Sequence, residues 1–590
     1  MTWKNYLKRL MPCLCLTALV IACFGLLPLA QAVSPAPDGC YPGFTTAEGC
    51  NALKSLTSGA GNTGVGWYSL SSDTTHSYNT GVGAGALFLN NADSNTAVGT
   101  AAMLLNTSGT ANVAVGTDAL VYNDSGNFNT AVGQNALFRN TTGSENTASG
   151  SGALTSNTIG NRNTATGAST LVVNTADNNT ATGFGALFSN ATGTSNTATG
   201  AFALRNNTAS NNTATGFNAL FSNTTGTFNT ATGGGALVSN IDGGGNTATG
   251  VLALSANTHG NSNTAIGFVA LQNNAAGDSN TAIGAGALAN SNADNNTATG
   301  FQALSSNTTG TDNTANGANA LFSNTTGGTN TAIGFNALHG NTGGGDNTAI
   351  GANALSNNTT GNNNIAIGFE ALISSTGSGN IALGLVAGAG VTTASNVICI
   401  GASGQDVSNT CYIGNIFNAT SSGGIGVFIN SDGKLGTSTS SRRFKEEIKP
   451  MERASEALYA LKPVTFHYKK ELDPQRIPQF GLVAEDVEAI SPDLVVRDTE
   501  GNPYSVRYDQ VNAMLLNEFL KEHRKVEEQQ AAITELRSVV AQQRKAFEAA
   551  IAEQRRQLEA RLKQQDAKIQ TVNDRIELTN PAPRIAASDR

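Results

Sequence analysis

An asparagine returns every sixteen or seventeen residues across more than half of this 590-residue chain. It heads the unit N-T-A-x-G-x-x-A-L and recurs from Asn62, Asn79 and Asn95 through to Asn364, Asn380 and Asn396. So short a fixed period admits few folds. Each unit is one supersecondary element that hides its apolar face only by stacking on its neighbours. A unit of this length is too short for two helices and a turn, yet enough for one coil of a β-solenoid with two short strands and two turns. In the unit running from Asn330 to Leu338, Gly334 suits a tight corner and Ala332 and Ala337 suit a crowded interior. Leu338 is the one sizeable apolar side chain that recurs, so it carries most of the burial. The repeat predicts a solenoid over residues 51–415. Twenty-one coils stacked at strand spacing would rise roughly 100 Å.

Ala, Gly and one Leu per coil make a thin core, and three chains around a common axis would bury more. Stacked Asn and Thr side chains would add hydrogen-bond ladders. The last units, Asn364 to Gly368 and Asn396 to Gly401, are more apolar and read as the capping end. The array resembles the head repeats of trimeric autotransporter adhesins in style, although its unit is longer.

Three functional readings of the array compete with bland ones. The N-x-S/T triplets match glycosylation acceptors, but Asn-Thr is also the turn and ladder chemistry of the repeat. Thr-Ala-Thr tripeptides such as Thr180 to Thr182 suggest an ice-binding face, yet Val98 and Ile333 interrupt the pattern. Ice binding stays as a minor alternative. Gly343 to Asp346 hints at a calcium-binding nonapeptide, but no nine-residue period accompanies it. No pocket, metal cluster or aromatic platform is legible in the array, and the chain implies no cofactor.

Charge divides the chain. Of 33 Lys and Arg, 3 precede residue 33, 5 lie between 33 and 439, and 25 follow. The array therefore lacks the basic stripe that nucleic-acid binding needs. Lys4, Lys8 and Arg9 lead an apolar run, Leu10 to Leu29, that ends at Ala30-Gln31-Ala32. This is an export signal cleaved after Ala32. The alternatives are an uncleaved anchor or a lipoprotein signal with Cys23 as the lipidated residue. No later segment is long and apolar enough to span a membrane, so the mature chain is read as exported to the cell surface or beyond. In that setting Cys40 with Cys50, and Cys399 with Cys411, read as two local disulfides. Four unpaired cysteines are the alternative.

At Ser440 the composition changes to that of an ordinary small α+β domain. Helices are expected at residues 454–461 and 484–490, and strands at 464–468, 479–483, 494–497 and 504–508. A further helix is expected from about Val511. The blocks Ser440-x-x-Arg443-x-Lys445, Leu461 to Lys469, Gly481 to Val487, Pro492 to Val495 and Tyr504 to Tyr508 occur in order. Residues 440–525 thereby resemble the intramolecular chaperone autoprocessing domain of phage endosialidases and tail fibres. The resemblance implies that Ser440 attacks the peptide bond on its own N-terminal side, between Thr439 and Ser440. It makes Lys445 the general base and gives Arg443 a supporting role. A serine hydroxyl needs such a partner, and a lysine acts as base only when desolvated. The family aspartate after the serine is Ser441 here, which is also a rival nucleophile. A chaperone domain that never cuts is the alternative.

Phe519, Val526, Ile533, Val540 and Phe547 are spaced by seven, and Ile551, Leu558, Leu562, Ile569, Val572 and Ile576 extend the seam. With charged residues between them they predict a coiled coil, ended by Asn580-Pro581. The organisation is a signal at 1–32, an N-terminal segment at 33–50, the solenoid at 51–415 and a linker at 416–439. A chaperone domain at 440–525, a coiled coil at 526–578 and a tail at 579–590 follow. The expected function is an exported homotrimeric fibre, adhesin-like, with an unidentified surface ligand.

Overall fold

The computed structural model describes residues 43–430, 432–550 and 555–577. The expected export signal with Cys23, Cys40, and the expected tail at 579–590 lie outside them. So do the seam residue Ile551 and the side chains of Phe547, Leu558 and Ile576. The chain divides into two compact units after Ala419.

The first unit is a solenoid. Twenty-three three-residue strands, from β1 (Thr46–Glu48) to β23 (Cys411–Ile413), form one parallel sheet. They pair in sequence order and in register; Thr331, for example, faces Thr348 and Ala332 faces Ala349. Each strand turns its middle residue inward, and Ala332, Ala349 and their equivalents are fully buried.

Only one side of each coil is a strand, where two were expected. The Ala-Leu side is built of turns instead. Asn336 and Leu338 adopt φ of 55° and 52°, in the left-handed region. That conformation is disfavoured for an L-residue by about 1–2 kcal/mol. Burial of the leucine, about 1.5–3 kcal/mol, offsets it. The alternation also aims successive N–H groups in opposite directions along the axis. Asn336 donates back to the Ala318 carbonyl and Leu338 donates forward to that of Ala354. Backbone groups outside the strands are thereby satisfied between coils.

Corner glycines make this stacking possible. Gly334 has a φ of 135°, and a Cβ there would lie 2.6 Å from the backbone of Gly351.

Two asparagine columns run through the interior. The lead Asn330 is satisfied by neighbouring coils: its backbone N–H and its Nδ2 both donate to Asn313 Oδ1, each at 3.0 Å. Its Nδ2 also reaches the Gly344 carbonyl at 2.9 Å. A second column, Asn324, Asn341 and Asn358, repeats the device, with Asn341 Nδ2 donating to Asn324 Oδ1 at 2.7 Å. Asn341 shares the Gly344 carbonyl with Asn330. The interval from lead to second asparagine stays constant, as from Asn79 to Asn90 and from Asn163 to Asn174. The turn that follows takes up the one-residue difference between shorter and longer coils.

At the ends the columns close differently. Asp73 stands where the second column begins, fully buried, and accepts from Asn79 and Asn90. Burial raises its carboxyl above the ordinary value. In the last coils Val397, not Asn396, occupies the lead column, its backbone N–H donating to Asn380 Oδ1. Asp406 caps the final turn by accepting the backbone N–H groups of Thr392, Thr393 and Ala394.

The cysteine pairing of the last coils needs correction. Cys399 stands opposite Tyr412 and Cys411 opposite Ile398. Adjacent ladder positions point to opposite faces, so Cys399 is buried, Cys411 is exposed, and both are free. Cys50 is also free.

The second unit begins with a hairpin, β24 (Val427–Ile429) against β25 (Leu435–Thr437). A 3-10 helix at Glu452–Ala460 follows, then β26 (Val464–Phe466) paired with β27 (Gln479–Gly481). Next come α1 (Ala484–Glu488) and β28 (Val495–Arg497) paired with β29 (Pro503–Val506). Two helices end the unit, α2 (Tyr508–Ala550) and α3 (Arg555–Glu577). The core is small: Val487, Leu494, Val495, Val506 and Met514, with Leu458 and Leu461 packed against it. Among the described residues no helix is long and apolar enough to cross a membrane.

Candidate functional site

The segment that holds the expected nucleophile and base is delivered by the hairpin. Asn430 closes its turn, exchanging backbone bonds with Lys434 and Gly433. The chain then runs out through Thr439 and Ser440 to Ser441, which is extended at φ −63° and ψ 137°. One 3-10 turn, Arg442–Phe444, follows and ends at Lys445, again extended. The turn is closed by the N–H groups of Phe444 and Lys445 donating to the carbonyls of Ser441 and Arg442. The Arg443 guanidinium lies 4.6 Å from the centre of the Phe444 ring.

Thr439, Ser440, Ser441 and Lys445 are all exposed in the single chain. No hydrogen bond joins Ser440 to Lys445 among the described residues. Sequence proximity therefore places nucleophile and base on one short turn without assembling them.

A feature invisible in the sequence anchors the domain. Glu518 on α2 is buried and accepts bonds from Lys521, Ser455 and Tyr459. Those bonds, led by Lys521, hold its carboxyl down at about 2. Asn517 adds bonds to Ser455 and to the Glu452 carbonyl. The 3-10 helix is thus tied to α2 across the whole of the intervening domain. Nothing in the spacing of Ser455 and Glu518 signals this, because the contact is long-range.

Residues 440–496 match the chaperone of endosialidase family. The match opens at the serine that the sequence marks as nucleophile. No curated protein and no solved structure matches the chain. The chaperone domain thus follows a solenoid of 23 strands, the layout of a fibre-like protein.

The solenoid surface answers the other readings. Asn140, Asn223, Asn307, Asn324 and Asn358, each in an N-x-T triplet, are fully buried in the second column and cannot serve as glycan acceptors in the folded chain. Six consecutive strands, from β8 (Thr164–Thr166) to β13 (Thr247–Thr249), read Thr-Ala-Thr with both threonines outward. On either side of this band Ser149 and Ile266 take the third place. The expectation of no aromatic platform fails. Phe184, Phe217, Phe268, Phe301, Phe335 and Phe369 each follow a corner glycine and stand exposed on one edge. The signal is a Gly-Phe dipeptide recurring every second or third unit, but only the register shows that the rings share a column.

Proposed function

We propose that this is an exported homotrimeric surface fibre whose C-terminal unit assembles it and then cuts itself free. The observation that carries the reading is the chaperone family match, which starts at Ser440 directly behind the solenoid and its hairpin. The helical tail gathers three chains along the seam of Phe519, Val526 and Ile533. The chaperone domain sets their alignment, which a monotonous ladder specifies weakly because slipping by one coil repeats the same contacts. Burial against neighbouring chains then desolvates Lys445.

In the cutting step Lys445 takes the Ser440 hydroxyl proton as Ser440 Oγ attacks the Thr439 carbonyl carbon. The Thr439–Ser440 C–N bond breaks, the proton passes to the freed amine of Ser440, and an ester links Thr439 to Ser440 Oγ. Water hydrolyses that ester, leaving the Thr439 carboxylate and the Ser440 hydroxyl. The mature fibre serves adhesion or spacing at the cell surface.

Purified wild type is compared on a gel with Ser440→Ala, and the small fragment is sequenced from its N-terminus. The expected result is a fragment running from Ser440 to Arg590, absent from the variant. An intact chain in both lanes would show a fibre that binds or supports without cutting. The exposure of both dyad residues and the presence of Ser441 favour that second reading. A fragment starting at Ser441 would transfer the role of nucleophile to that residue. The band of six Thr-Ala-Thr strands supports ice binding as the minor alternative, and absence of thermal hysteresis in the purified chain removes it.

A further inference from the structure

The coils carrying β9 (Thr180–Thr182), β10 (Thr197–Thr199) and β11 (Thr213–Thr215) break the monotony of the solenoid. Phe202 packs edge-on against Phe184 and Phe217, with ring centres 5.3 and 6.3 Å away. The guanidinium of Arg205 sits 5.5 to 5.6 Å from the ring centres of Phe188, Phe202 and Phe221. Phe184 and Phe217, in the coils on either side, remain 54% and 59% exposed.

Arg205 is one of four Lys or Arg residues between residues 43 and 419. Arg162, by contrast, is paired with Glu145 at 3.1 Å. No acidic side chain pairs with Arg205 among the described residues, and its guanidinium donates to no protein acceptor among them. Aromatic rings engage the face of a guanidinium, while its five N–H donors lie in the plane. Arg205 thus spends its face on phenylalanine and keeps its edge for an acceptor from outside.

We infer that Arg205 and its phenylalanines form a binding site for an acidic polysaccharide. The carboxylate or sulfate of one sugar takes paired bonds from the guanidinium edge. The apolar faces of adjoining sugars lie on Phe184 and Phe217, two coils, or about 10 Å, apart. The size of the patch argues for a glycan over a protein, since a stable protein interface needs about 800 Å² on each side, more than five rings and one arginine over three coils supply. Nucleic acid fits poorly, because one cation cannot neutralise a run of phosphates. Three chains in one fibre would present the site three times, and so bind a polymer more tightly than one copy does. The inference goes beyond assembly and cleavage and depends on neither.

The test is affinity electrophoresis of the uncut full-length Ser440→Ala chain. The gels contain polygalacturonate, dextran sulfate or neutral dextran. Retardation is expected in one or both acidic gels and not in dextran, and the two acidic gels separate carboxylate from sulfate recognition. Adding Arg205→Gln is expected to weaken binding at least about tenfold, and Phe217→Ala severalfold; Arg205→Lys, which keeps the charge but loses the planar fork, falls between. Arg162→Gln should change nothing. The inference is overturned if Arg205→Gln runs like its parent, if dextran retards equally, or if no gel retards the chain. It is also overturned if an acidic protein, but neither acidic glycan, is held in an Arg205-dependent way. Should Arg205→Gln lose its strand signal in circular dichroism, the exposed Phe217→Ala decides alone: undiminished binding overturns the site.

Discussion

Leu220 and its equivalents along the solenoid are fully buried within one chain. In the C-terminal unit Ile425, Val427, Ile429 and Leu435 stand exposed on the hairpin, as do Leu516 and Phe519 on α2. The first region closes on itself coil by coil, with polar groups paired by asparagine columns. The second has only a small core of its own and leaves a long apolar seam in water, the mark of a surface meant for another protein. The thinness of the core suggests that three chains would bury more, yet a single chain already buries every one of these leucines. On the reading proposed above, what the array lacks is a means of choosing its alignment with other copies, and the second region supplies it.

The sharpest way to break this contrast is to place a charge in the seam. Phe519→Asp should raise the trimer dissociation constant at least about a hundredfold and abolish self-cutting. Analytical ultracentrifugation and the fragment gel check it, and the strand signal of the solenoid should not change. A trimer that persists would mean that the solenoids themselves hold it together. Next in size is the converse change. Leu220→Ala should destabilise its stretch of solenoid by about 2–5 kcal/mol while leaving the oligomeric state alone. Denaturant melts followed by circular dichroism measure it, and loss of trimer would contradict the separation of roles.

A pH series sharpens the comparison further. The Glu518 carboxyl is held down at about 2 against an ordinary 4.5. Asp406 is also held well below the ordinary carboxylate range, chiefly by the Thr392 hydroxyl and the backbone N–H groups it caps. Both contributions are fully present above the unfolded values near 4 to 4.5 and fade as pH falls through the folded ones. Hydrogen exchange at pH 6 and pH 3 should show the 3-10 helix loosening from α2, with mid-solenoid coils unchanged. Uniform loosening along the whole chain would be the contrary result.

The smallest effect concerns the second asparagine column. Asn274 Oδ1 and Asn358 Oδ1 are buried without a partner. In the following coils Ser291 and Ser375 take the place of asparagine and cannot reach back. Ser291→Asn lengthens the side chain to that of Asn174, which stands in an equally short coil. It should stabilise the solenoid by about 1 kcal/mol. A fall in melting temperature would show that the coil has no room for it.

The period, the buried Ala and Leu and the corner glycines were all readable from the chain, because a repeat exposes its own constraints. The small domain is readable too: strands expected at 464–468 and 479–483 appear as β26 and β27, each two residues shorter. The expected second strand per coil is absent, because apolar Ala-Leu has the look of a strand and nothing in the sequence signals the left-handed φ of Leu338. Asn396 falls at the interval of the lead residue, but hydrogen bonding selects Val397. The tie between Ser455 and Glu518 and the cluster around Arg205 depend on contacts between distant or stacked residues, which linear spacing does not encode. Ser440 and Lys445 were legible as residue types, whereas their approach to one another is, on the reading proposed above, a property of the assembled trimer.

The constant interval between the two asparagines of a coil has an evolutionary consequence. A duplication or deletion of one whole unit leaves both columns unbroken, and the variable turn tolerates the odd residue. The length of the solenoid can therefore be tuned in discrete increments by unequal recombination, without redesigning either end.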